Sequence, residues 1–520
     1  MSLGLRFLSA TLLAVVAAAV GSTGASAAVP TTWCGLAGPQ SPTDRKPDLT
    51  AGPQVTVVYA RPSDQPDRIS TFGNPIATDF ASIDAWWRQQ DSTRTLRLDL
   101  FAFPNCTGMA RLDIVDFPLP HDAAYYSPLS GRYARLVDDL RVGPALSSSY
   151  KKYVVYFDGP SDAPNTCGQA GGDFLTGPDY AFVYLQTCGL LTSDALRPHV
   201  ALHELIHALG AVAPGAPNEC PPPNNGHVCD SPLDILYWQG NSGTTLDTDI
   251  LDFNRNDYYG TNGPEDIRKS AWLTFLDAQV QSDVVLSGTG TGTVQTDMPG
   301  IGCPGICTGQ WNQGTQFIVT ATAGTNSRFV QWTGPCTTTD PTCAVTLNTA
   351  THIGAVFALQ VPLTVSVDAS RASGTVVSNP AAISCPGTCT ANFDQGQVVT
   401  LTVQPGSSSR LEAWGDACSG RDACTVTVDQ ARTVTATFGL RFRRLTTSVV
   451  GKGKIVSSPA GIACPSKCAV HFDADSTVSL RAVPAKGYKL SGWTGACKGR
   501  AACSVTLSGD ATVRATFKRR

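Results

Sequence analysis

Glutamate is almost missing from this chain: Glu204, Glu219, Glu265 and Glu412 are the only four in 520 residues, so aspartate carries nearly all the acidity. Histidine occurs seven times and methionine three times. Charged residues make up 15 % and the formal net charge is −3, so the basic footprint of a nucleic-acid-binding chain is missing. The closing Lys518-Arg519-Arg520 reads as a solvated end. After residue 28 no apolar run is long enough to span a bilayer, which excludes a membrane span in the mature chain. Cysteine is plentiful. Its count of eighteen is even, and the spacings look like staples rather than Cys-x-x-Cys metal knuckles, which points to an oxidising compartment.

Against that scarcity, one stretch concentrates what little histidine and glutamate there is. In ALHELIHALG (201–210), His203 and His207 fall one helical turn apart, so two imidazoles reach toward one ion, and Glu204 lies beside them. Chance produces H-E-x-x-H roughly once in a thousand chains of this composition. The alternative is a buried amphipathic helix whose histidines only pack. The chemistry explains the residue types: Zn²⁺ takes neutral imidazoles and keeps a position open for water, and a neighbouring carboxylate serves as general base. Pro198 suits the start of such a helix and Gly210 its end.

Two protein ligands are too few. His352 and His471 lie in a different, C-terminal region, His121 is far upstream, and His199 crowds the turn that carries His203. The remaining candidate is His227, in NNGHVCDSPLDILY (224–237), with Asp230 or Asp234 as the alternative third ligand or as a partner that orients one. Tyr237 is a candidate oxyanion stabiliser and equally a core tyrosine.

Residues 1–28 read as a signal peptide: Arg6, an apolar run from Phe7 to Val20, and Ala25-Ser26-Ala27 for cleavage near Ala27. The mature protein is then expected to be secreted. Residues 29–282 alternate strand-like runs (55–60, 96–103, 153–157, 180–186) with helix-like ones (77–90, 132–142), which implies an α/β layer with the 201–210 helix packed under a twisted sheet. Their six cysteines are assigned the pairs 34–106, 167–188 and 220–229, out of fifteen connectivities. Residues 29–50 read as an extended start or a short propeptide, with Cys34 in a structural disulfide rather than masking the metal. DFNRND (252–257) reads as a turn, because it lacks the glycine and the final glutamate of an oxygen-rich calcium loop.

Beyond residue 282 one pattern recurs three times, over 283–358, 362–439 and 444–520. Each copy holds CPxxC and a second cysteine pair: Cys303/Cys307 with Cys336/Cys343, Cys385/Cys389 with Cys418/Cys424, and Cys464/Cys468 with Cys497/Cys503. Trp332, Trp414 and Trp493 hold the same place in each. Alternating apolar residues broken by Gly and Pro imply three small all-β disulfide-bonded repeat modules, each stapled because its core is thin.

HELIHALG resembles the start of the metzincin signature, H-E-x-x-H-x-x-G-x-x-H/D. The chain departs from it at Ala213, where that family places its third ligand, and no methionine lies between Met109 and Met298 to form the Met-turn. HELIHALGAV followed by GHVCDSPLDILY is similar to a group of secreted bacterial metzincin-like proteins in which such a loop replaces the usual ending, with Leu236 where methionine is expected. The resemblance implies a zinc peptidase domain with His203, Glu204 and His207 carried over, and a protein or peptide substrate. The repeats are similar to divergent internalin B repeats, which implies spacing, adhesion or targeting through a cell-surface or polymer ligand. The expectation is a multidomain, monomeric, secreted zinc endopeptidase. The rivals are an adhesin whose peptidase-like head has lost its chemistry, and a zinc hydrolase cutting some other bond.

Overall fold

Val-, Tyr- and Phe-rich runs that bury both faces of a strand make the central sheet. In the computed structural model, which describes residues 28–35, 41–104, 106, 110–142, 146–171, 178–239, 245–263, 265–370 and 372–520, these runs become β1 (Gln54–Arg61), β3 (Lys151–Phe157) and β5 (Asp179–Tyr184). The expected signal segment and its cleavage site near Ala27 lie outside the described residues, Ala28 aside. With β2 (Ile114–Pro118) and β4 (Gly168–Gly171) they form a sheet in the order β2-β1-β3-β5-β4. The first four strands run parallel, with Val57 level with Ile114 and Val154, and Val154 level with Ala181. Only the edge strand β4 is antiparallel, with Gly168 opposite Val183.

Parallel strands covered on both faces read as continuous apolar runs. Val55, Val57, Tyr59, Val154, Tyr156, Ala181 and Val183 pack against α1 (Ile69–Gln90) and α3 (Leu196–Ala208). Val58, Ala60, Val155, Phe157, Phe182 and Tyr184 face α2 (Arg132–Leu140) on the other side. Two expectations need correction. The 96–103 run is not one strand but two short pieces, Arg94–Leu96 and Leu100–Phe101. Its polar positions are not on a wet face: Arg97 is buried and donates to the Leu273 carbonyl, and Asp99 is buried against Lys151. Helix α1 also starts at Ile69, eight residues before its periodic part, and takes in Gly73, which lies against Trp33 where any Cβ would collide.

The chain divides into two compact units: one reaches Val285 and takes in 294–321 and 332–354, and the other holds 286–293, 322–331 and 355 onward. By residue content the whole is mostly β and multidomain. In the second unit, residues 374–379, 384–385, 397–405 and 424–428 make one antiparallel sheet, and 453–458, 463–464, 477–484 and 503–506 repeat it. Facing the latter, Phe442–Val450, Ala469–Asp473, Tyr488–Gly495 and Ala511–Arg519 form a second sheet in which the first and last run parallel. Trp332, Trp414 and Trp493 are buried, and the indole N–H groups of the first two donate to the carbonyls of Asp340 and Asp422. All eighteen cysteines are paired as the sequence assigned them, three bridges in residues 34–229 and two in each repeat. Nine disulfides fit an extracellular protein. Among the described residues no helix is long and apolar enough to cross a membrane.

Candidate metal centre

Helix α3 is buried nearly all round, so its two partly exposed histidines mark the side that faces the site. The Ser193 hydroxyl accepts from the Leu196 N–H at the first turn. Pro198 sits inside that turn, where its missing N–H costs nothing. At the far end Gly210 (φ +96°) donates to the His207 carbonyl and Ala211 to that of Ile206, a Schellman ending that turns the chain toward the 211–237 segment. Arg197, near the start of α3, makes two hydrogen bonds to the buried carboxylate of Asp79 on α1 at 2.6 and 3.0 Å, which fixes the helix against its neighbour.

The returning segment is tied at several points. Cys220 and Cys229 are bridged, the Cys220 N–H donates to the His227 carbonyl at 2.8 Å, and the Val228 N–H to the Leu236 carbonyl at 3.1 Å. The Glu219 carboxylate accepts from the N–H groups of Gly215 and Gly226, and Gly226 takes φ +87°, which suits glycine. Asp234 is buried, and both of its oxygens are engaged, by the Leu236 and Phe253 N–H groups and the Tyr258 hydroxyl. This folds 224–237 so that the Ile235 carbonyl reaches His203.

The structure therefore brings His227 to the two helix histidines. Nε2 of His203 stands 3.3 Å from Nε2 of His207 and 3.3 Å from Nε2 of His227. Nδ1 of His203 lies 2.6 Å from the Ile235 carbonyl oxygen, which can only accept, so the proton sits on Nδ1 and Nε2 offers a lone pair. That lone pair accepts from one ring at most, so hydrogen bonding alone does not account for both contacts. Two nitrogens each about 2.05 Å from one tetrahedral ion stand about 3.3 Å apart. Burial holds all three imidazoles below their usual pKa, with neighbouring rings adding to the effect on His203 and His207, so they are neutral donors. The donor set fits Zn²⁺.

Glu204 is buried beside the triad, and burial pushes its carboxyl up to about 8. Edge strand β4 passes directly over it: a Cβ on Gly168 would lie 2.6 Å from Glu204 Oε1 and from the Phe182 carbonyl oxygen. The other candidates are placed elsewhere. Asp234 organises the loop from behind. Asp230, half-buried, stands outside the nitrogen triad, and burial followed by the charges of Asp257 and Asp252 raises its pKa. Tyr237 is half-buried, its ring 6.3 Å from that of Trp238. His199 is engaged with Asp249 at 2.7 Å. Residues 252–257 form a turn in which the Asp252 carboxylate accepts from the N–H groups of Asn256, Asp257, Tyr258 and Tyr259. Sequence reasoning missed the Ile235 carbonyl, the Glu219 clamp and Gly168. A backbone oxygen carries no side-chain signal, and one glycine among 49 does not stand out.

The site belongs to a multidomain, disulfide-bonded chain with three nitrogen donors gathered on one helix and one loop. Its C-terminal part carries Divergent InlB B-repeat domains, matched at residues 283–360, 365–441 and 457–520. No curated protein is significantly similar to the chain. Among solved structures, OgpA from Akkermansia muciniphila is similar at 12 % identity over 74 % of this chain and 96 % of that one, with a TM-score of 0.24. GBS52, the minor pilin of Streptococcus agalactiae, is similar at 10 % identity over 31 % of this chain and 96 % of that one, with a TM-score of 0.13. TM-scores this low carry no argument about fold or activity.

Proposed function

We infer that the chain is a secreted, zinc-dependent endopeptidase with a metzincin-like N-terminal domain, whose repeats space or target it. The observation that carries this reading is the convergence of three imidazole nitrogens, those of His207 and His227 each 3.3 Å from that of His203, with the buried Glu204 next to His203 in the chain. His203, His207 and His227 hold the ion. When bound, Zn²⁺ supplies Lewis acidity and lowers the pKa of a water to about 7. Glu204, in the ionised form that a cation held by the three histidines would favour, takes the proton from the attacking water as its oxygen adds to the scissile carbonyl, and passes it to the leaving amine nitrogen. Residues 168–171 run along the sheet edge above Glu204, where an extended peptide adds as a further strand. Peptide hydrolysis is favoured over other bonds by that edge, which recognises main chain.

Glu204→Gln tests the mechanism. The variant is expected to keep its zinc and to lose about 10²–10⁴-fold in the hydrolysis of casein, the range of general-base catalysis. Wild-type turnover in the variant sinks this assignment. A binding protein with an inert head is the second reading, favoured by the B-repeat domains that make up the C-terminal part. A wild-type chain that retains zinc and cleaves no peptide decides for it.

A further inference from the structure

The third repeat differs from the other two in charge. Residues 283–358 hold one Lys or Arg against three Asp, and residues 362–439 hold four against six Asp and Glu. Residues 444–520 hold thirteen against three Asp and no Glu. A formal charge of −3 for the whole chain thus conceals a module of about +10, far outside what solubility needs. All thirteen of these cations are exposed, and no ion pair joins any of them to a carboxylate among the described residues.

Their placement is not scattered. In the sheet built on 442–450 and 511–519, the outward residues alternate with the buried Leu445, Val513, Ala515 and Phe517. On that outer face Lys489 lies directly opposite Lys518, Thr494 opposite Arg514, and His471 opposite Arg444. Like charges directly opposite each other destabilise a sheet. In the second repeat the position of Lys518 is Gly439, that of Arg514 is Thr435 and that of Arg444 is Pro362, while Arg410, matching Lys489, is paired with Glu412. The module therefore keeps one directly opposed like-charged pair, Lys489 with Lys518, that its sibling avoids. From the level of Arg444 to that of Lys518 the stripe is about 27 Å long at about 3.4 Å per residue. That length suits a polymer with charges at intervals rather than one small anion.

We propose that the outer face of the third repeat, with Arg444, Lys489, Arg514 and Lys518 at its centre, binds a linear anionic polysaccharide. A nucleic acid is disfavoured because single-strand binders stack bases on aromatic platforms. In this module Trp493 is buried, Tyr488 is half-buried, and the exposed Phe442 is covered by the Arg410 guanidinium, 5.0 Å from its ring centre. The inference does not depend on the metal centre and holds equally for an enzyme or a binder.

The test is affinity of the full chain for heparin, the probe polysaccharide, at low ionic strength, with neutral dextran and duplex DNA as comparison ligands. The wild type is expected to bind heparin, to release it as salt rises, and to ignore dextran. Lys489→Gln, Arg514→Gln and Lys518→Gln together are expected to weaken binding about a hundredfold, at about fivefold per cation removed from an anionic surface. These side chains are exposed, so the triple variant folds, which its melting curve checks. No heparin binding by the wild type, equal binding by the triple variant, or duplex DNA held as tightly as heparin overturns the proposal.

Discussion

Replacing His227 with alanine separates a metal ligand from a packing residue. Its backbone carbonyl, not its ring, accepts the Cys220 N–H, so alanine keeps the bond that shapes the loop. Without metal, the variant is expected to melt with the wild type. With free Zn²⁺ at a hundred times the dissociation constant, binding stabilises the folded state by about 2.7 kcal/mol. Loss of a ligand weakens affinity by about a hundredfold, the upper end of what losing a mere supporting partner costs. At the same free Zn²⁺ the variant then gains about 0.4 kcal/mol. In a unit of roughly 300 residues each kcal/mol moves the midpoint by about 1.5 °C, so zinc is expected to raise the first unit's transition by about 4 °C in the wild type and by less than about 1 °C in the variant. Scanning calorimetry of the full chain in chelator and in buffered zinc reads both values. Equal rises in the two proteins refute His227 as a ligand, and no rise in the wild type refutes the metal centre.

Other substitutions probe the supports. Asp234→Ala removes three hydrogen bonds behind the loop. It is expected to destabilise by about 2–4 kcal/mol in urea titration and to weaken zinc binding by about 10–100-fold, because the Ile235 carbonyl loses its position against His203. Asp79→Asn removes the buried charge opposite Arg197, which keeps only the exposed Asp194 as a carboxylate partner, and is expected to cost about 3 kcal/mol in the same titration. A change below 1 kcal/mol would show that the pair does not anchor α3. Gly168→Ala puts a methyl against Glu204, and the expected outcome is at least a tenfold loss of peptide hydrolysis with zinc content unchanged. Full activity in that variant would remove the edge strand from the site.

The parts of this molecule that were legible in its sequence are those with a repeating or rare signal. H-E-x-x-H stands out because glutamate and histidine are scarce, and the cysteine register exposes the repeats. The unbroken apolar runs of β1, β3 and β5 announce a sheet covered on both faces. The 96–103 run was misread because its alternation looks like a half-wet strand, whereas Arg97 and Asp99 are buried with partners distant in sequence. The first eight residues of α1 were missed because Gly73 and Pro75 read locally as breakers, while Trp33, forty residues away, explains the glycine. Asp230, Asp234 and His227 stayed in competition for one place because ligation depends on which way a loop turns, and that is set by Glu219, Ile250 and Tyr258, none of which neighbours the motif. The charge of the third repeat was hidden by averaging over the whole chain.

The bridge between Cys220 and Cys229 makes the third nitrogen's position sensitive to redox conditions. In a reducing medium that bridge opens, and the loop bearing His227 is then held by the Glu219 clamp, the Asp234 contacts and its backbone hydrogen bonds alone. Any activity that needs all three nitrogens is therefore expected to fall when that bridge is reduced.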